Sequence, residues 1–302
     1  MSLAPLVIIN PAAGGGRALR SVAWVRERLA PRPEARLEIT RRSGDAEALA
    51  AEAARRGHDR VIVIGGDGTV QEVVNGLLSA DEPASMGIVP LGSGNDLARS
   101  LALPGELGSA WRTAVGHATR WIDVARARNA AGVERLFASA GGIGFDAQVA
   151  AAMAERSGWQ VGRAGYLLTT LTELRRFENR RVRLTIDGAS VIGDVLFVAI
   201  ANGVFYGGGM RIAPGALLDD GRLDVCVVGD ISRLTVLRQL PNLYRGTHVD
   251  HPAVSMRSGA VIEADGDGDT RIHLDGEPFG SLPLHVTVRH RALAVAAPPN
   301  SR

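Results

Sequence analysis

The residue pattern best suited to chemistry is a short turn in which three glycines surround one aspartate. The β-branched run 61–64 has no polar alternation, as expected of a strand buried on both faces, and it ends at Gly65-Gly66-Asp67-Gly68-Thr69. Glycines let a ligand approach the backbone, and the N–H groups at the start of a following helix bind anions. Because a carboxylate repels phosphate unless a cation lies between them, Asp67 favours nucleotide phosphate with Mg²⁺. A plain βα turn capped by Asp67 is the alternative.

A helix is predicted directly after this turn, because valines and leucines recur at helical spacing between residues 70 and 78. This spacing places Gln71, Glu72 and Asn75 on the face directed away from the core. The switch from strand to helix therefore takes only five residues.

Two further glycine-rich loops follow predicted strands. Asn10-Pro11-Ala12-Ala13-Gly14-Gly15-Gly16-Arg17 comes after the strand 6–9, and Gly92-Ser93-Gly94-Asn95-Asp96 comes after the strand 86–89. The carboxyl ends of parallel strands share one edge of a sheet, which is where open α/β sheets bind ligands. Arg17 stands at a helix start, where its guanidinium suits a phosphate, and a solvated surface arginine is the equal alternative.

The second half of the chain contains two acidic turns whose carboxylates could bind a metal ion or act in catalysis. The turn 217–222 offers carboxylates and backbone carbonyls to a hard cation, with a plain β-turn as an equal alternative. Asp275-Gly276-Glu277 pairs two carboxylates at a strand end, which suits general-base work on a hydroxyl, although a hairpin turn is favoured when this motif is taken alone. Two other polar patterns are interpreted as a solvated hairpin tip, at Asp265–Asp269, and as loop surface, at His248 and His251.

The composition excludes several classes of phosphate site. The 302 residues carry 34 Lys and Arg against 32 Asp and Glu, so no strong net charge recruits nucleic acid. Every one of the 34 cations is arginine, which rules out a Walker A lysine, a protein-kinase lysine and a Schiff base. Phosphate must therefore be held by arginine, backbone N–H groups or a metal ion. Cys226 lies in an apolar run and is interpreted as a small core residue.

The order of the predicted elements gives the fold class. A βαβαβα pattern to about residue 115 predicts a doubly wound α/β layer, and strands with turns from residue 120 onward predict a largely antiparallel β region. Two helices, near Phe145–Glu155 and Gly165–Phe177, interrupt that region. The length favours two domains, with a boundary near Asp123.

The sequence also gives expectations about compartment and membranes. It runs from Met1 into a strand without a signal-like segment, and no apolar run reaches the length of a bilayer, so we expect a cytoplasmic protein. Between Met153 and Phe177, apolar residues in and beside a helix are flanked by arginines, which predicts peripheral membrane contact, with core packing as the favoured alternative. The residues concerned are Trp159, Tyr166, Leu167, Leu168, Leu171 and Leu174, with Arg156, Arg163, Arg175 and Arg176.

Several motifs occur together in an order and spacing that resembles one family. They are Asn10-Pro11 with the glycines after it, Thr40 before Gly44-Asp45-Ala46, Gly65-Gly66-Asp67-Gly68-Thr69 with Glu72 and Asn75, Gly92-Ser93-Gly94-Asn95-Asp96, Asp220-Gly221 and Asp275-Gly276-Glu277. This set resembles the soluble diacylglycerol kinase and sphingosine kinase family in its short bacterial lipid-kinase form. Many relatives carry a lysine in the first glycine loop, where this chain has Arg17.

The resemblance implies a fold and a set of ATP-binding residues. Residues 1–123 would form a nucleotide domain like that of phosphofructokinases and NAD kinases, and residues 124–289 a β-sandwich acceptor domain. A final strand near 290–297 would return to the first domain. The residues implied for ATP are Asn10, Gly14, Arg17, Thr40, Gly66, Asp67, Gly68, Thr69, Val70, Gln71, Glu72, Asn75 and Ser93.

The resemblance also implies metal and catalytic residues. An acidic network of Asp67, Asp96, Asp123 and Asp220 would organise Mg²⁺. A second, structural ion, Mg²⁺ or Ca²⁺, would bind Asp220 with the carbonyls of Leu217 and Arg222. Glu277 is implied as the proton acceptor, and Asp275 would orient it or share the task.

We therefore expect an ATP-dependent lipid kinase that phosphorylates a hydroxyl of a diacylglycerol-like or long-chain-base lipid. The rivals are an NAD kinase, against which Gly92–Asp96 argues, and a catalytically silent nucleotide-binding regulator, against which Asp275 and Glu277 argue. The expected partner is a lipid acceptor and not a nucleic acid. The sequence leaves open a homodimer and the identity of the lipid.

Overall fold

The computed structural model of this chain describes residues 4–32, 34–80, 83–154 and 163–298. The chain divides into two compact units. Unit 1 comprises Met1–Ile122 with Arg291–Arg302, and unit 2 comprises Asp123–His290. No helix among the described residues is both long and apolar enough to cross a bilayer.

Unit 1 is built on parallel strands alternating with helices. Its elements are β1 (Leu6–Ile9), α1 (Ala13–Leu29), β2 (Arg36–Ile39), α2 (Asp45–Arg55), β3 (Arg60–Gly65), α3 (Asp67–Leu77), β4 (Ser85–Pro90), α4 (Asp96–Ser100), α5 (Leu107–Ala114) and the start of β5 (Thr119–Arg128). The parallel strands lie in the order β2, β1, β3, β4, and Val7 stands opposite Ile62 in the register. The end of the last strand, β15 (Leu284–Ala296), adds to this sheet where Val295 pairs with Met86.

Both faces of the unit 1 sheet are buried, which explains the unbroken β-branched runs of its strands. Val7 and Ile64 pack on one face against residues of α1 and α5, such as Val25 and Trp111. Ile8 and Val63, which point the other way along the same strands, are fully buried as well. The predicted doubly wound α/β layer is confirmed.

Unit 2 is an antiparallel β-sandwich with three longer helices. Its elements are the rest of β5, β6 (Glu134–Phe137), β7 (Ala140–Gly144), α6 (Phe145–Ala154), α7 (Arg163–Leu174), β8 (Arg180–Ile186), β9 (Ala189–Ala201), β10 (Leu223–Gly229), α8 (Arg233–Arg245), a 3₁₀ turn (Thr247–Asp250), β11 (Val254–Gly259), β12 (Val261–Gly266), β13 (Arg271–Leu274), β14 (Glu277–Ser281) and the first part of β15. The main strand order is β14, β13, β7, β9, β8, β12, β15. The expected antiparallel sandwich is confirmed.

Two hydrophobic cores stabilise unit 2. One contains Phe137, Ile200 and Ile262 from the β-strands. The other contains Phe145 from α6, Met210 from the segment after β9 and Val236 from α8. Cys226 is buried in this second core, and burial raises the pKa of its thiol to about 12, as expected of a core residue without a reactive role.

One helix and three strands of unit 2 were not predicted, and two predictions are wrong. The missed elements are helix α8 and strands β7, β11 and β14, although leucines recur every three residues from Leu234 to Leu243 in α8. His248, interpreted as loop surface, is 3% exposed, because it lies in the 3₁₀ turn Thr247–Asp250 and its ring bonds the Ile212 carbonyl. The acidic segment Asp265–Asp269 is exposed but is not a hairpin tip, because β12 pairs with β8 and β15 whereas β13 pairs with β7 and β14. Whether an acidic segment joins two paired strands depends on strand partners far apart in the sequence, and local turn residues do not predict those partners.

Candidate active site

Two of the glycine-rich loops of unit 1 touch each other backbone to backbone. Strands β3 and β4 are neighbours, so Gly65–Thr69 and the loop 91–96 leave the same edge of the sheet. The N–H groups of Leu91 and Gly92 both donate to the Gly65 carbonyl, at 2.9 and 3.0 Å. A Cβ on Gly92 would lie 2.3 Å from the Cα of Gly66, so only glycine permits this approach. The glycine spacing noted in the sequence therefore serves loop contact as well as ligand access.

Asp67 joins the same two loops through its carboxylate. One oxygen accepts from the backbone N–H of Asn95 at 2.6 Å, and the other accepts from that of Asp96 at 2.7 Å. Asn95 has a left-handed backbone (φ 56°), and its side-chain amide bonds both the N–H and the carbonyl of Gly92, at 2.9 Å each. Asn95 was not among the residues implied for the site, although its place between Gly94 and Asp96 is typical of an αL turn.

The surroundings of Asp67 fit a divalent cation. Desolvation raises the pKa of this carboxyl above its ordinary value, while the N–H groups of Asp96 and Asn95 oppose that rise. A nearby Mg²⁺ would offset the desolvation of the charge, and Mg²⁺ commonly binds one or two carboxylates together with waters and substrate phosphates. Asp96, 7% exposed, lies in the same loop contact. Asp67 is therefore a candidate ligand for Mg²⁺, and Asp96 contributes its backbone N–H to the same contact.

Arg17 is exposed to solvent, and its side chain also contacts the neighbouring loops. Its guanidinium donates to three carbonyl oxygens, those of Gly14 at 3.2 Å, Leu91 at 3.4 Å and Gly92 at 2.9 Å. The three glycines before it have positive φ, so the regular part of α1 begins only after them. Arg17 thus ties the first glycine loop to the loop 91–96. Asn10 ties the first loop to the second, because its amide donates to the Thr69 hydroxyl at 2.9 Å.

The remaining residues implied for ATP lie in varied surroundings. Gln71 is 2% exposed, so the prediction that it faces away from the core is wrong. The reason is that α3 packs against both β3 and α2, which leaves it two buried faces. Glu72 caps the start of α2, where it accepts from the N–H of Ala46 at 3.1 Å and from the Ser43 hydroxyl at 3.2 Å. Of the others, Val70 and Thr40 are buried, Gly68 is partly buried at the start of α3, Asn75 bonds the Gln71 carbonyl within the helix, and Ser93 is exposed.

The Asp275-Gly276-Glu277 motif of unit 2 forms the tight turn of the β13–β14 hairpin. Leu274 pairs with Glu277, so the loop is the two residues Asp275 and Gly276, whose φ values of 48° and 88° are those of a type I′ turn. The Asp275 carboxylate accepts three backbone N–H groups at 2.9 to 3.1 Å. The donors are Ala138 and Ser139, which lie between β6 and β7, and Ala140, the first residue of β7.

The second carboxylate of this motif is in a different situation. Glu277 is exposed, and no group in the described part of the chain bonds to its side chain. Its backbone is nevertheless fixed, because Asp275 anchors the turn and Glu277 opens β14. The Asp275 carboxylate is therefore held by backbone hydrogen bonds, while the Glu277 carboxylate remains available to a ligand.

The other carboxylates implied for metal binding are held within unit 2. Asp123 is fully buried and accepts from the Gly221 N–H at 2.6 Å and pairs with His290 Nδ1 at 2.9 Å. Asp220 is exposed and accepts from the N–H of Arg222 at 3.0 Å. Within the residues that the structure describes, no group of three or more His, Cys, Asp or Glu is arranged to hold a metal ion. Leu217 is 56% exposed at the start of the same turn.

An apolar cavity in unit 2 was not predicted from the sequence. It lies among α6, β9 and α8, has an empty volume of about 730 Å³ including its open mouth, and is lined by side chains such as Val149, Leu196 and Leu240. Its polar lining includes Asp146 and Tyr206, and the Tyr206 hydroxyl donates to the Asp146 carboxylate at 3.0 Å. The only local signal for Asp146 was a carboxylate at the first turn of a predicted helix.

The segment Met153–Phe177, predicted to contact membranes with core packing as the favoured alternative, is partly in the core, and membrane contact stays a prediction. Leu174 and Phe177 are buried, whereas Leu168 is 59% and Leu171 37% exposed. Arg175 and Arg176 are exposed at the end of α7. Arg156 and Trp159 lie outside the described residues, as do the side chains of Arg163, Tyr166 and Leu167.

Comparison with known proteins places this arrangement in one family. A family model described as "Diacylglycerol kinase catalytic domain" matches residues 4–127, and one described as "YegS C-terminal NAD kinase beta sandwich-like domain" matches residues 139–297. A crystal structure of a diacylglycerol kinase from Bacillus anthracis superposes with a TM-score of 0.79 at 27% identity and covers 98% of each chain.

Two relatives are similar over almost the whole sequence. The diacylglycerol kinase of Mycobacterium tuberculosis (strain H37Rv) is 33% identical over 294 residues, which are 96% of this chain and 94% of that protein. A Pseudomonas fluorescens protein named "Probable lipid kinase YegS-like" is 34% identical over 282 residues, covering 92% of this chain and 91% of that protein. The resemblance carried by the motifs is confirmed, and the chain belongs to the diacylglycerol kinase and YegS-like lipid kinase family.

Proposed function

We propose that this protein transfers the γ-phosphate of ATP to a hydroxyl of a diacylglycerol-like or long-chain-base lipid, with Glu277 as the proton acceptor. The observation that carries this proposal is the contrast within the Asp275-Gly276-Glu277 turn. Three N–H groups hold one carboxylate, and the other is exposed and unbonded in the described part of the chain. Phosphoryl transfer needs positioning, charge neutralisation and one base on the attacking hydroxyl.

In unit 1, the three connected glycine loops are proposed to bind the phosphates of ATP. The loops present backbone at the start of α3, where the helix dipole and free N–H groups favour anions. Arg17 lies beside this backbone, where it joins two loops and brings a positive charge. Since the chain contains no lysine, an arginine must supply this charge. Asp67 and Asp96 would hold Mg²⁺, which when bound neutralises charge on the phosphates.

In unit 2, the proposed step at the acceptor is a simple displacement. The Glu277 carboxylate takes the proton of the lipid hydroxyl while that oxygen forms a bond to the γ-phosphorus. The bond between this phosphorus and the bridging oxygen of ADP breaks, so the products are the lipid phosphate and ADP. Asp275 keeps the turn in place.

The apolar cavity of unit 2 is the proposed site for the lipid chain. The exposed surface of its lining is almost wholly hydrophobic, as an acyl chain requires. Exposed leucines on two helices whose residues line it, Leu168 on α7 and Leu234 on α8, would bring its mouth to a membrane surface. Exposed Arg175, Arg176 and Arg238 would attract anionic lipids.

Membrane contact is tested by sedimentation with phosphatidylglycerol vesicles. We expect binding that weakens as salt is raised, and weaker binding by the double variant Arg175→Glu, Arg176→Glu at an unchanged melting temperature. Arg135→Glu with Arg257→Glu, also in unit 2, is the matched control. Equal binding by the two double variants would contradict a role for the end of α7.

The function itself is tested by transfer of labelled phosphate from ATP to a panel of acceptors. The panel contains dioctanoylglycerol, sphingosine, a monoacylglycerol and, as a soluble competitor class, NAD. We expect Mg²⁺-dependent labelling of at least one lipid and none of NAD. Labelling of NAD alone, or of nothing in the panel and in a total lipid extract, would contradict the proposal.

A further inference from the structure

A buried carboxylate and histidine lie directly behind the Asp275-Gly276-Glu277 turn. His273 Nε2 is 3.3 Å from Asp146 Oδ2, and the two residues are 1% and 6% exposed. Gly142, the strand partner of His273 on β7, makes room for them, because a Cβ there would lie 1.8 Å from Asp146 Oδ2 and 2.4 Å from His273 Nε2. The pair is therefore built into the sheet, and it requires a glycine at this position.

The hydrogen bonds around His273 define its tautomer. The backbone N–H of Gly276 donates to His273 Nδ1 at 3.3 Å, so Nδ1 must offer a lone pair. The proton of the neutral ring is then on Nε2, from which it is donated to Asp146. A proton on Nδ1 would face the Gly276 N–H and abolish this bond.

Asp146 and Tyr206 hold the ring in this orientation. The Asp146 carboxylate also accepts from the Ala147 N–H at 2.8 Å and the Tyr206 hydroxyl at 3.0 Å. The Tyr206 ring stacks on the His273 ring, with centroids 5.7 Å apart and planes 25° from parallel. His273 can therefore neither turn over nor move without losing contacts on both sides.

We propose that His273 is a positioning residue for the phosphoryl transfer. Held by Asp146 as the Nε2–H tautomer, it fixes the Gly276 peptide from beneath, while the three N–H groups bonded to Asp275 fix the other end of the turn. Together they set the direction in which Glu277 leaves the backbone. Asp146 and Tyr206 also line the apolar cavity. The Asp146–His273 pair is therefore a polar link between the cavity and the turn that carries the base. This inference rests on the proposed role of Glu277.

The tautomer is measured first, because it does not depend on activity. Nitrogen-15 NMR of the full chain labelled at histidine distinguishes a protonated from an unprotonated ring nitrogen, and a His273→Asn sample assigns the signal among the seven histidines. We expect His273 as the neutral Nε2–H form in the wild type. In Asp146→Asn, whose amide can donate to Nε2, we expect the proton on Nδ1. A wild-type Nδ1–H form would overturn the inference.

Kinetic measurements then compare two amide replacements of His273, each of which keeps one of the two hydrogen bonds made by the imidazole. Asn places an oxygen near the Nδ1 position and can still accept from Gly276, whereas Gln places its amide nearer Nε2 and keeps only the bond to Asp146. We expect His273→Asn to keep most of the wild-type kcat. His273→Gln and Asp146→Asn should each lower kcat by about 100-fold, the scale of a 1 Å misplacement, with KM for ATP unchanged.

The outcomes separate this inference from the proposed function. If His273→Gln keeps the wild-type kcat, or Asp146→Asn shifts the tautomer without changing kcat, the positioning role is wrong while the kinase function stands. If the wild type phosphorylates no lipid, the proposed function fails even where the NMR result agrees. Should His273→Gln not fold, judged by its melting temperature, Asp146→Asn decides the question, because it conserves volume and leaves the imidazole in place.

Discussion

Unit 2 contains the same two-residue turn twice, once with chemistry attached and once without. Asp187-Gly188 joins β8 to β9 with φ values of 47° and 86°, and Asp275-Gly276 joins β13 to β14 with values of 48° and 88°. The Asp187 carboxylate accepts from the N–H groups of Ala260 and Val261, both at 2.9 Å. Each aspartate thus fastens a hairpin to a neighbouring segment by backbone N–H groups.

The two turns differ in the next residue along the chain and in the side chains behind them. Ala189 comes after the first turn and exposed Glu277 after the second. The first is at the surface, where the N–H of Val261 lowers the pKa of Asp187. The second has the buried Asp146–His273 pair behind Gly276. Since Asp187 makes the same kind of anchor at a surface turn, anchoring is sufficient to explain Asp275, and this supports our proposal that Glu277 is the base.

The strongest test of the contrast between the turns removes the Glu277 carboxylate, which has no counterpart after the first turn. Glu277→Gln keeps the shape of the side chain and removes the base, so transfer to lipid should fall by roughly two to four orders of magnitude. ATP binding and the melting temperature should not change, because the described residues make no bond to this carboxylate. Glu134→Gln, at another exposed strand start, is the matched control. Wild-type transfer by Glu277→Gln would remove this residue from the mechanism.

Asp67 extends the comparison to unit 1, since it too is a carboxylate that accepts two backbone N–H groups. Asp67→Asn removes the charge proposed to hold Mg²⁺, and transfer should fall by about two orders of magnitude, partly restored at high Mg²⁺. Asp45→Asn is the control, because Asp45 accepts the N–H groups of Arg41 and Arg42 in an exposed loop of the same unit. Equal loss in both variants, or a loss independent of Mg²⁺, would mean that Asp67 only joins the loops.

The smallest effect on transfer should come from the two anchors themselves. Asp275→Asn and Asp187→Asn each replace one N–H acceptor oxygen by a donor, so both should lower the melting temperature. Only Asp275→Asn should also slow transfer, by about tenfold, because the loosened turn misplaces Glu277. If Asp275→Asn instead abolished transfer at a normal melting temperature, the base would have to be assigned to Asp275.

The sequence was most informative where structure is local. In unit 1 each strand, glycine loop and helix is contiguous, so the run 61–78 predicted the strand, the turn and the helix correctly. The sequence did not predict that Gln71 is buried. Helix α2 packs against α3, and the residue pattern of α3 alone does not show that a second element covers it. The role of Arg17 also depended on a loop more than seventy residues away.

In unit 2 the informative contacts are between residues far apart in the chain. The partners of Asp275 are 135 to 137 residues earlier, and His273 meets Asp146 at a separation of 127. No period or turn signal encodes such pairs. The Asp275-Gly276-Glu277 motif was noticed in the sequence, but which carboxylate is free became visible only with its hydrogen bonds.

The proposed division of binding, with nucleotide on unit 1 and lipid on unit 2, is tested most directly by hydrogen exchange measured by mass spectrometry. With ATP and Mg²⁺, we predict slower exchange at the loops 10–17, 65–69 and 91–96 of unit 1. With dioctanoylglycerol in detergent, against detergent alone, we predict slower exchange in α6 and α8 of unit 2 and none in the glycine loops. Protection of the α6 and α8 segments by ATP, or of the glycine loops by the lipid, would contradict this division.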